Sequence, residues 1–508
     1  MPITYTISIN TNHDSDFTDT GEDITAHVLD LKWNLGFARP YDSLADYSTA
    51  QITVQNRTGL FSPERNPLDS GTQVKIQSND GTTTRTQFVG YVSHVMPDEG
   101  DWGEKTAVIH LQDCQPWLED SQVSLSPQVD VTADVVIDAL LEQAILRRAV
   151  IEGYCIIDVD GYNLIDSVSI FPDENITRSL EVGKTQFAYV GDWWQESVPV
   201  RQAIRELVDS ERGRFYINRE GHAIFLNRHY TLITKTLSAM FDDDMQGLDY
   251  RYGDVRLNRL SIIMTPREIG VNDTILWQLD HPQRIAQDKR YTLNLRFIDE
   301  QNLPLGMLEF DGITTVFNTL ANGLGTEITE GIRVNIIRTG FTSMQIQIRN
   351  TKSFAVYLTS LVIKGKPLYR RSPLEIMVSD SEGMYVYGLK SAKWDLPALS
   401  DIEVAQAFAE YEVIRRKHPS GVIQTLTTNI RNHPTQVLGL TLFDRIRITE
   451  SQTGHNAHDY FIIGEAHHVS NGGTQHNVTW ILEPADSTRF VIVDTSTIDN
   501  SAEIIAPY

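Results

Sequence analysis

The sequence predicts a mainly β protein of several domains, one of which is an α+β domain. At 508 residues the chain is too long for one ordinary domain. Most of it alternates apolar and polar residues, as strands do, between turns rich in Gly, Pro, Asn and Ser. Three segments instead repeat apolar residues at helical spacing, and two of these lie close together in the first half.

The composition is that of a soluble globular protein, with 41% hydrophobic and 22% charged residues. No stretch approaches the ~20 apolar residues that span a bilayer. The N-terminus, "MPITYTISIN", lacks the basic and apolar parts of a signal peptide, so we expect the chain to fold in a cytoplasm. The net charge of −24, with scattered Lys and Arg, argues against a protein that grips nucleic acid. It is compatible with a surface past which DNA slides, because like charges repel.

Residues 1–120 are predicted to form a small β-barrel. In "AQITVQN", Ile52 and Val54 alternate with polar neighbours, and "TQVKIQS" repeats the pattern with Val74 and Ile76. Two further strands, "TQFVGYVSHV" and "KTAVIHLQD", follow after turns.

Residues 121–269 are predicted to form the α+β domain. Thr132 is a candidate N-cap for a helix whose apolar face holds Val135, Val136, Ala139, Leu140 and Gln143.

A second helix of this domain is predicted to start after Ser197, with Pro199 tolerated in its first turn. Its apolar stripe holds Val200, Ala203, Ile204, Leu207 and Val208. The stretch "GRFYINREGHAIFLNR" then predicts a hairpin in which Phe215 and Ile217 alternate on the first strand, the turn "REG" follows, and Ile224 and Leu226 lie on the returning strand.

The second half of the chain is predicted to hold two further domains. Residues 270–368 are interpreted as an inserted β-sandwich, because the pattern is all-β again. Residues 369–490 are predicted to form a second β-barrel with one long helix, which opens with a capping box from Ser400 to Glu403. Residues 491–508 form a C-terminal tail.

The two predicted barrels share one order of elements. Each has a strand of aliphatic and basic residues, a polar loop, a strand with Gly-x-x-x-His-Val, and a return strand. The motif runs from Gly90 to Val95 and again from Gly464 to Val469, which predicts an internal duplication with His94 equivalent to His468. We expect both glycines to permit a bend or a close backbone approach.

Residues 453–476 hold five of the fourteen histidines, a pattern that a metal site would explain. A zinc site needs three or four convergent ligands. Adjacent strand residues point to opposite faces, so His467 and His468 are not expected to bind one ion. His455 and His458 are expected in a loop. The cluster is therefore interpreted as a barrel hairpin, and we predict no metal and no cofactor.

Other candidate sites are weak. Asp158 and Asp160 resemble the start of a calcium loop, but Ser169 stands where that loop needs a Glu. Asp242–Asp244 could supply a carboxylate for glycoside hydrolysis, although no opposing group is evident and such a run is typical of a solvated loop.

Trp193 and Trp194 could stack on sugars, although a Trp pair before a helix is more often packing. No phosphate-binding loop, nucleophile elbow or His-Glu-x-x-His motif occurs. We therefore predict no catalytic residue and no enzyme activity.

Four stretches resemble the minor tail proteins of long-tailed bacteriophages and prophages, especially those related to the baseplate hub: "AQITVQNRTGLFSPE", "FAYVGDWWQESVPVRQAIRELVDSERGRFYINREGHAIFLNRH", "YRYGDVRLNRLSIIMTPRE" and "DYFIIGEAHHV…TWILEPAD". The resemblance implies a structural virion component at the tail tip, made in the bacterial host cytoplasm. It implies two related hub barrels per chain and a homotrimer. The trimer would then form a ring of six similar barrels around a DNA channel. One side of this ring would bind the sixfold tail tube and its distal tail protein, and the other side would bind a threefold tip fibre or spike.

Two alternatives remain beside the hub. One is a sixfold distal tail ring, and the other is a receptor- or glycan-binding tip protein acting through residues 270–368. Many related tip proteins continue into a peptidase, a lysozyme or a receptor-binding extension. This chain stops soon after its second predicted barrel, so we expect it not to degrade the host wall.

Overall fold

The structure is a computed structural model. It describes residues 3–11, 16–65, 68, 70–100, 103–123, 125, 127–144, 155–158, 161–164, 176–191, 193–194, 198–233, 236–485, 490–491 and 504–505. Strands predominate, as predicted, with short helices between them. In this part of the chain, no helix is both long and apolar enough to cross a bilayer.

Six strands build a first module: β1 (Thr4–Asn10), β2 (Val28–Gly36), β3 (Thr49–Gln55), β4 (Gln73–Asn79), β5 (Thr84–Asp98) and β6 (Thr106–Gln112). A 3-10 turn at Thr25–His27 lies between β1 and β2. All neighbours are antiparallel, in the order β1-β4-β5-β6-β3-β2. Ile52, Val54, Val74 and Ile76 are buried, as their alternation predicts.

An α+β unit follows: α1 (Gln115–Asp120), β7 (Gln128–Val131), α2 (Ala133–Gln143), β8 (Cys155–Asp158), β9 (Gly161–Leu164), β10 (Arg178–Leu180), β11 (Phe187–Val190), α3 (Val200–Glu211), β12 (Arg214–Ile217), β13 (Ala223–Leu226) and α4 (Tyr230–Ile233). The apolar stripe predicted for α3 is buried throughout, and β12 pairs with β13 in the predicted hairpin. The buried face of α2 differs from the predicted one, because Val135 is exposed whereas Ile137 and Leu141 are buried. Ser197 lies outside the described residues.

The next strands are β14 (Leu237–Asp242), β15 (Gly247–Tyr252) and β16 (Arg259–Met264). Two sheets then pack around a separate apolar core, with strands β17 (Arg267–Ile269), β18 (Thr274–Gln278), β19 (Gln283–Ile285), β20 (Arg290–Arg296), β21 (Leu305–Asn318), β22 (Ile332–Thr339), β23 (Ser343–Asn350) and β24 (Val356–Arg370). We call residues 267–370 the sandwich unit.

The chain continues with β25 (Leu374–Ser379), α5 (Ser381–Tyr387), β26 (Ser391–Leu396), α6 (Ile402–Arg416), β27 (Gly421–Asn429), α7 (Pro434–Gly439), β28 (Arg445–Glu450), β29 (His455–Ser470), β30 (Gln475–Pro484), β31 (Phe490–Val491) and β32 (Ile504–Ile505). β16 pairs with both β25 and β26, so the strands flanking the sandwich unit lie in one sheet. The predicted capping box is wrong by one residue: Asp401, not Ser400, caps α6 by accepting from the amides of Glu403 and Val404.

A second module of six strands has the order β14-β28-β29-β30-β27-β15. This is the order of the first module strand for strand, with β14 in the place of β1 and β15 in the place of β2. The one difference in direction is that β14 runs parallel to β28, whereas β1 is antiparallel to β4. The predicted duplication is therefore present in the topology.

The two closed barrels are not confirmed, because each module is an open sheet in the described part of the chain. β2, at one end of the first module, pairs with β29 of the second module instead of closing its own module. The two modules thereby form one sheet of twelve strands and share one apolar core.

The predicted register of the duplication is wrong by four residues. The backbone amide of Gly71 donates to the carbonyl of Val92, and the backbone amide of Phe443 donates to the carbonyl of Ile462. A bulge follows Val92 in the pairing of β5 with β6, and a bulge follows Ile462 in the pairing of β29 with β30. Val92 is thus equivalent to Ile462, which places His94 at the position of Gly464.

Candidate functional site at the junction of the modules

The antiparallel ladder between β2 and β29 joins the two modules. It runs from Leu31 opposite Val469 to Gly36 opposite Gly464. Gly36 has φ +91°, and a Cβ there would meet the carbonyl of Ile463. A Cβ on Gly464 would lie 2.6 Å from the carbonyl oxygen of Phe37. Both positions therefore need glycine, and the prediction of a close backbone approach holds at Gly464.

Arg219 links the α+β unit to this junction. It lies in the turn between β12 and β13 and is buried, with 4% of its surface exposed. Its Nε and Nη2 donate to the two carboxylate oxygens of Glu465 on β29, at 2.7 and 2.6 Å. Nη1 and Nη2 also donate to the carbonyls of Leu438 and Leu440, at 3.1 and 2.7 Å.

The first module reaches the same point through Gln87 of β5. Its Nε2 donates to the carbonyl of Leu438 at 3.1 Å and to Oγ of Ser78 at 2.8 Å. Arg219 and Gln87 thus share one carbonyl acceptor. The α+β unit, the first module and the second module meet at this single buried polar cluster.

A chain of buried hydrogen bonds extends from Glu465 across the junction. His467 Nε2 lies 3.5 Å from Glu465 Oε2, and its Nδ1 lies 2.8 Å from His476 Nε2. The hydroxyl of Tyr5, on β1, lies 2.7 Å from His476 Nδ1. One arrangement satisfies every group: Tyr5 donates to His476, His476 to His467, and His467 to Glu465.

Burial and the neighbouring Arg219 together set the charges of these hydrogen-bonded side chains. Burial disfavours the Glu465 carboxylate, but the Arg219 guanidinium beside it prevails and lowers the Glu465 pKa to about 2. Burial lowers the pKa of His467, although Glu465 opposes this effect. Burial, followed by the nearby His467 and Arg219, lowers the pKa of His476 well below its usual value. Both imidazoles are therefore neutral at pH 7, and Arg219 carries the positive charge that balances Glu465.

The five histidines of residues 453–476 thus separate into different roles. His467 stacks on Trp33 of β2, with ring centroids 4.7 Å apart. His467 and His476 both belong to the series of buried hydrogen bonds that starts at Glu465. His468 points to the other face and contacts Asp30, as the strand alternation predicts. The expected loop for His455 and His458 is wrong, because both lie on β29. Among the described residues, no three His, Cys, Asp or Glu side chains converge as a metal site would require.

A second, partly buried ion pair links the α+β unit to the second module. Arg214 of β12 donates to both carboxylate oxygens of Glu483 on β30, at 2.8 and 2.9 Å. The amide of Tyr41, in the first module, donates to the same carboxylate at 2.6 Å. Glu483 therefore ties the same three parts of the chain together at a second point.

The acidic and calcium-loop candidates do not come together as a site. Asp243 accepts from the amide of Ser451, and Asp244 lies 3.2 Å from His433, so these carboxylates hold the loop after β14. The side chains of Asp158, Asp160 and Ser169 lie outside the described residues.

The tryptophan pair packs against α3. Trp193 and Trp194 both donate to one oxygen of Glu206, at 2.6 and 2.9 Å. Trp194 is buried, with 6% of its surface exposed, so it offers no free face to a sugar.

Comparisons with solved structures return two tail proteins and a type VI secretion component. The tail protein from Neisseria meningitidis MC58 is 9% identical, with a TM-score of 0.48 over 94% of this chain and 97% of that chain. The 43 kDa tail protein of prophage MuSo2 from Shewanella oneidensis is 10% identical, with a TM-score of 0.46 over 94% and 98%. The E. coli c3393 protein, described as a type VI secretion component similar to the T4 tail proteins gp27 and gp5, is 8% identical, with a TM-score of 0.33 over 91% and 74%.

No protein-family profile and no curated protein matches the sequence. Two of these three neighbours are described as tail proteins, one of them from a prophage.

Proposed function

We propose that the chain is a non-enzymatic structural protein of a phage or prophage tail tip, and that it acts as a trimeric hub. The observation that carries the proposal is the pair of six-stranded modules with one strand order, joined edge to edge in a single sheet. Three copies of such a chain would supply six similar modules. A ring of this kind can meet a sixfold tube on one face and a threefold tip on the other.

The buried ties at the junction support this role. Glu483 accepts from both the α+β unit and the first module. Arg219 shares the Leu438 carbonyl with Gln87 of the first module, so the two modules are held in one fixed relation. A ring that transmits symmetry from tube to tip needs such fixed geometry, because small errors between modules would add up around it. The ladder between β2 and β29 supplies the same rigidity along the sheet.

The remaining parts of the proposal concern partners. The tail tube and distal tail protein bind one face of the ring, and a fibre or spike binds the other. DNA only passes through the lumen, which the net charge of −24 favours because a like-charged wall does not retain DNA.

Native mass spectrometry of the purified chain over a range of concentrations tests the stoichiometry. A particle of three chains is expected. Six chains per particle would instead indicate the distal tail ring, which the sequence leaves as the alternative.

A further inference from the structure

We propose that the free edge of β15 in one copy of the chain docks against the free half of β5 in a second copy. The proposal rests on the trimeric hub proposed above and names the strands that would join its copies. It follows from the duplication, because the chain already contains one contact of this type, between β2 and β29.

β15 occupies in the second module the place of β2 in the first. Ile52 and Leu426 hold the same place in the two modules, opposite Ile109 and Trp480. Leu31 of β2 lies opposite Ile52, and Leu248 of β15 lies opposite Leu426. This alignment sets "WNLG" (33–36) against "YRYG" (250–253). The final glycines agree in conformation as well, with φ +91° at Gly36 and +76° at Gly253.

The two strands differ in what covers them. β2 is covered by β29, and Leu35 is only 5% exposed. β15 pairs with β27 alone among the described strands, and Tyr252, at the position of Leu35, is 70% exposed. A large aromatic side chain at the edge of a sheet, on a position that is buried in the sister module, indicates a partner strand.

The matching acceptor surface is the second half of β5. β4 pairs with β5 only as far as Tyr91, so Ser93–Asp98 has one free side in the described structure. The equivalent half of β29 is the part that receives β2. Met96 is 55% exposed at this edge. In the register of β2 on β29, Tyr252 would lie opposite Val95, and Arg251 opposite Met96.

The contact between copies would be looser than the contact within the chain. His94 replaces Gly464, so the backbones cannot cross as closely there. Pro97 replaces His467, whose amide faces β2, so one donor is lost from the ladder. We therefore expect reversible assembly that depends on protein concentration.

Charge adds to this weakness. In the same register Asp249 would lie opposite Asp98, and like charges directly opposite each other are destabilising. Added salt would screen this repulsion, so assembly should strengthen as the ionic strength rises.

The geometry also explains how a ring could close. The contact is head to tail, from the β15 edge of one chain to the β5 edge of the next, and such contacts form rings when the rotation closes. In a trimer, three contacts within chains would alternate with three contacts between chains.

Cysteine cross-linking tests the register directly. Arg251→Cys and Met96→Cys are combined in one chain, and Tyr385→Cys with Met96→Cys serves as the control, because Tyr385 is 92% exposed on α5. Mild oxidation should link separate chains through the first pair, whose Cβ atoms would lie about 5 Å apart, and not through the second. Equal linking in both, or none in the first, overturns the proposed contact.

Assembly measurements complete the test. Tyr252→Asp should raise the concentration needed for assembly about tenfold or more, whereas Tyr385→Asp should leave it unchanged. If a threefold particle forms and Tyr252→Asp has no effect, these strands do not join the copies, although the hub function stands. If the wild-type chain stays monomeric and unlinked at every concentration, both the contact and the trimer are refuted.

Discussion

Arg219 and Glu465 form a buried, two-pronged ion pair between the α+β unit and the second module, with N–O distances of 2.7 and 2.6 Å. The residues lie 246 positions apart in the sequence. Arg219 also satisfies two backbone carbonyls, so its side chain fills a place that no apolar residue could fill without leaving acceptors unpaired.

Arg219→Met should therefore destabilise the protein by about 3–5 kcal/mol, because it leaves the Glu465 charge buried without its partner. The free energy of unfolding, from denaturant titration, measures the effect. Arg57→Met is the control, since Arg57 and its partner Glu104 are both exposed and such pairs contribute about 0–1 kcal/mol. Equal losses in the two variants would show that the buried pair has no special role.

The junction should weaken in acid. His467 and His476 have lowered pKa values in the folded state, so the unfolded chain binds more protons once the pH falls below about 6.5. Stability should decrease from that pH downward, and again below about 4.5 as Glu465, with its folded pKa of about 2, loses its contribution.

A His476→Gln variant isolates the first of these windows. Its stability should fall less between pH 6.5 and 5 than that of the wild type, by up to about 1.4 kcal/mol per pH unit. His468→Gln is the control, because His468 is on the exposed face. Thermal unfolding at several pH values provides the measurement, and identical pH profiles for His476→Gln and wild type would refute the assignment.

Gly464→Val should break the pairing of β2 with β29, because the added side chain would collide with the backbone at Phe37. Gly90→Val should also impair folding, since a Cβ there would lie 2.7 Å from the carbonyl oxygen of Gln112. Gly247→Ala on β15 is the control, with its nearest contact at an ordinary 3.6 Å. Soluble yield and amide hydrogen exchange in β29 report the outcome; normal protection of β29 in Gly464→Val would contradict the close crossing.

Removal of the sandwich unit should leave the rest of the protein folded. Met264 and Leu374 are paired at the base of the unit, so a short turn can join them in a variant lacking residues 265–373. We expect this variant to keep the stoichiometry of the wild type. Glycan-array binding that is present in the wild type and absent in the variant would instead support the receptor-binding alternative.

Local patterns predicted the local structure well. The apolar stripe of α3 and the hairpin around Phe215 and Ile224 follow from spacing alone, because each is formed by residues close in sequence. Arg219 was visible in the sequence only as a turn residue. Its partners, Glu465 and the carbonyl of Leu438, are brought to it by the long-range fold, which spacing does not encode.

The register of the duplication shows a different limit. A shift of four residues along a strand keeps every side chain on the same face, because the side-chain period is two. β5 and β29 are 15 and 16 residues long, so the Gly-x-x-x-His-Val motif can slide by four without disturbing the apolar pattern. The hydrogen bonds at Val92 and Ile462 fix the register, and no sequence motif reports them.

The closed barrels are not confirmed, and the reason is related. The alternation of apolar and polar residues in β2 predicts which face of the strand is buried. It does not predict which strand pairs with the edge of β2. In this protein β29 pairs with that edge, and the sheet continues into the second module.

Electron microscopy of the purified protein at high concentration, with class averages examined for symmetry, tests the central claim most directly. The account predicts a threefold ring with six similar lobes, two from each chain. A sixfold ring with one chain in each repeat would contradict it, and would place the protein in a distal tail ring instead of the hub.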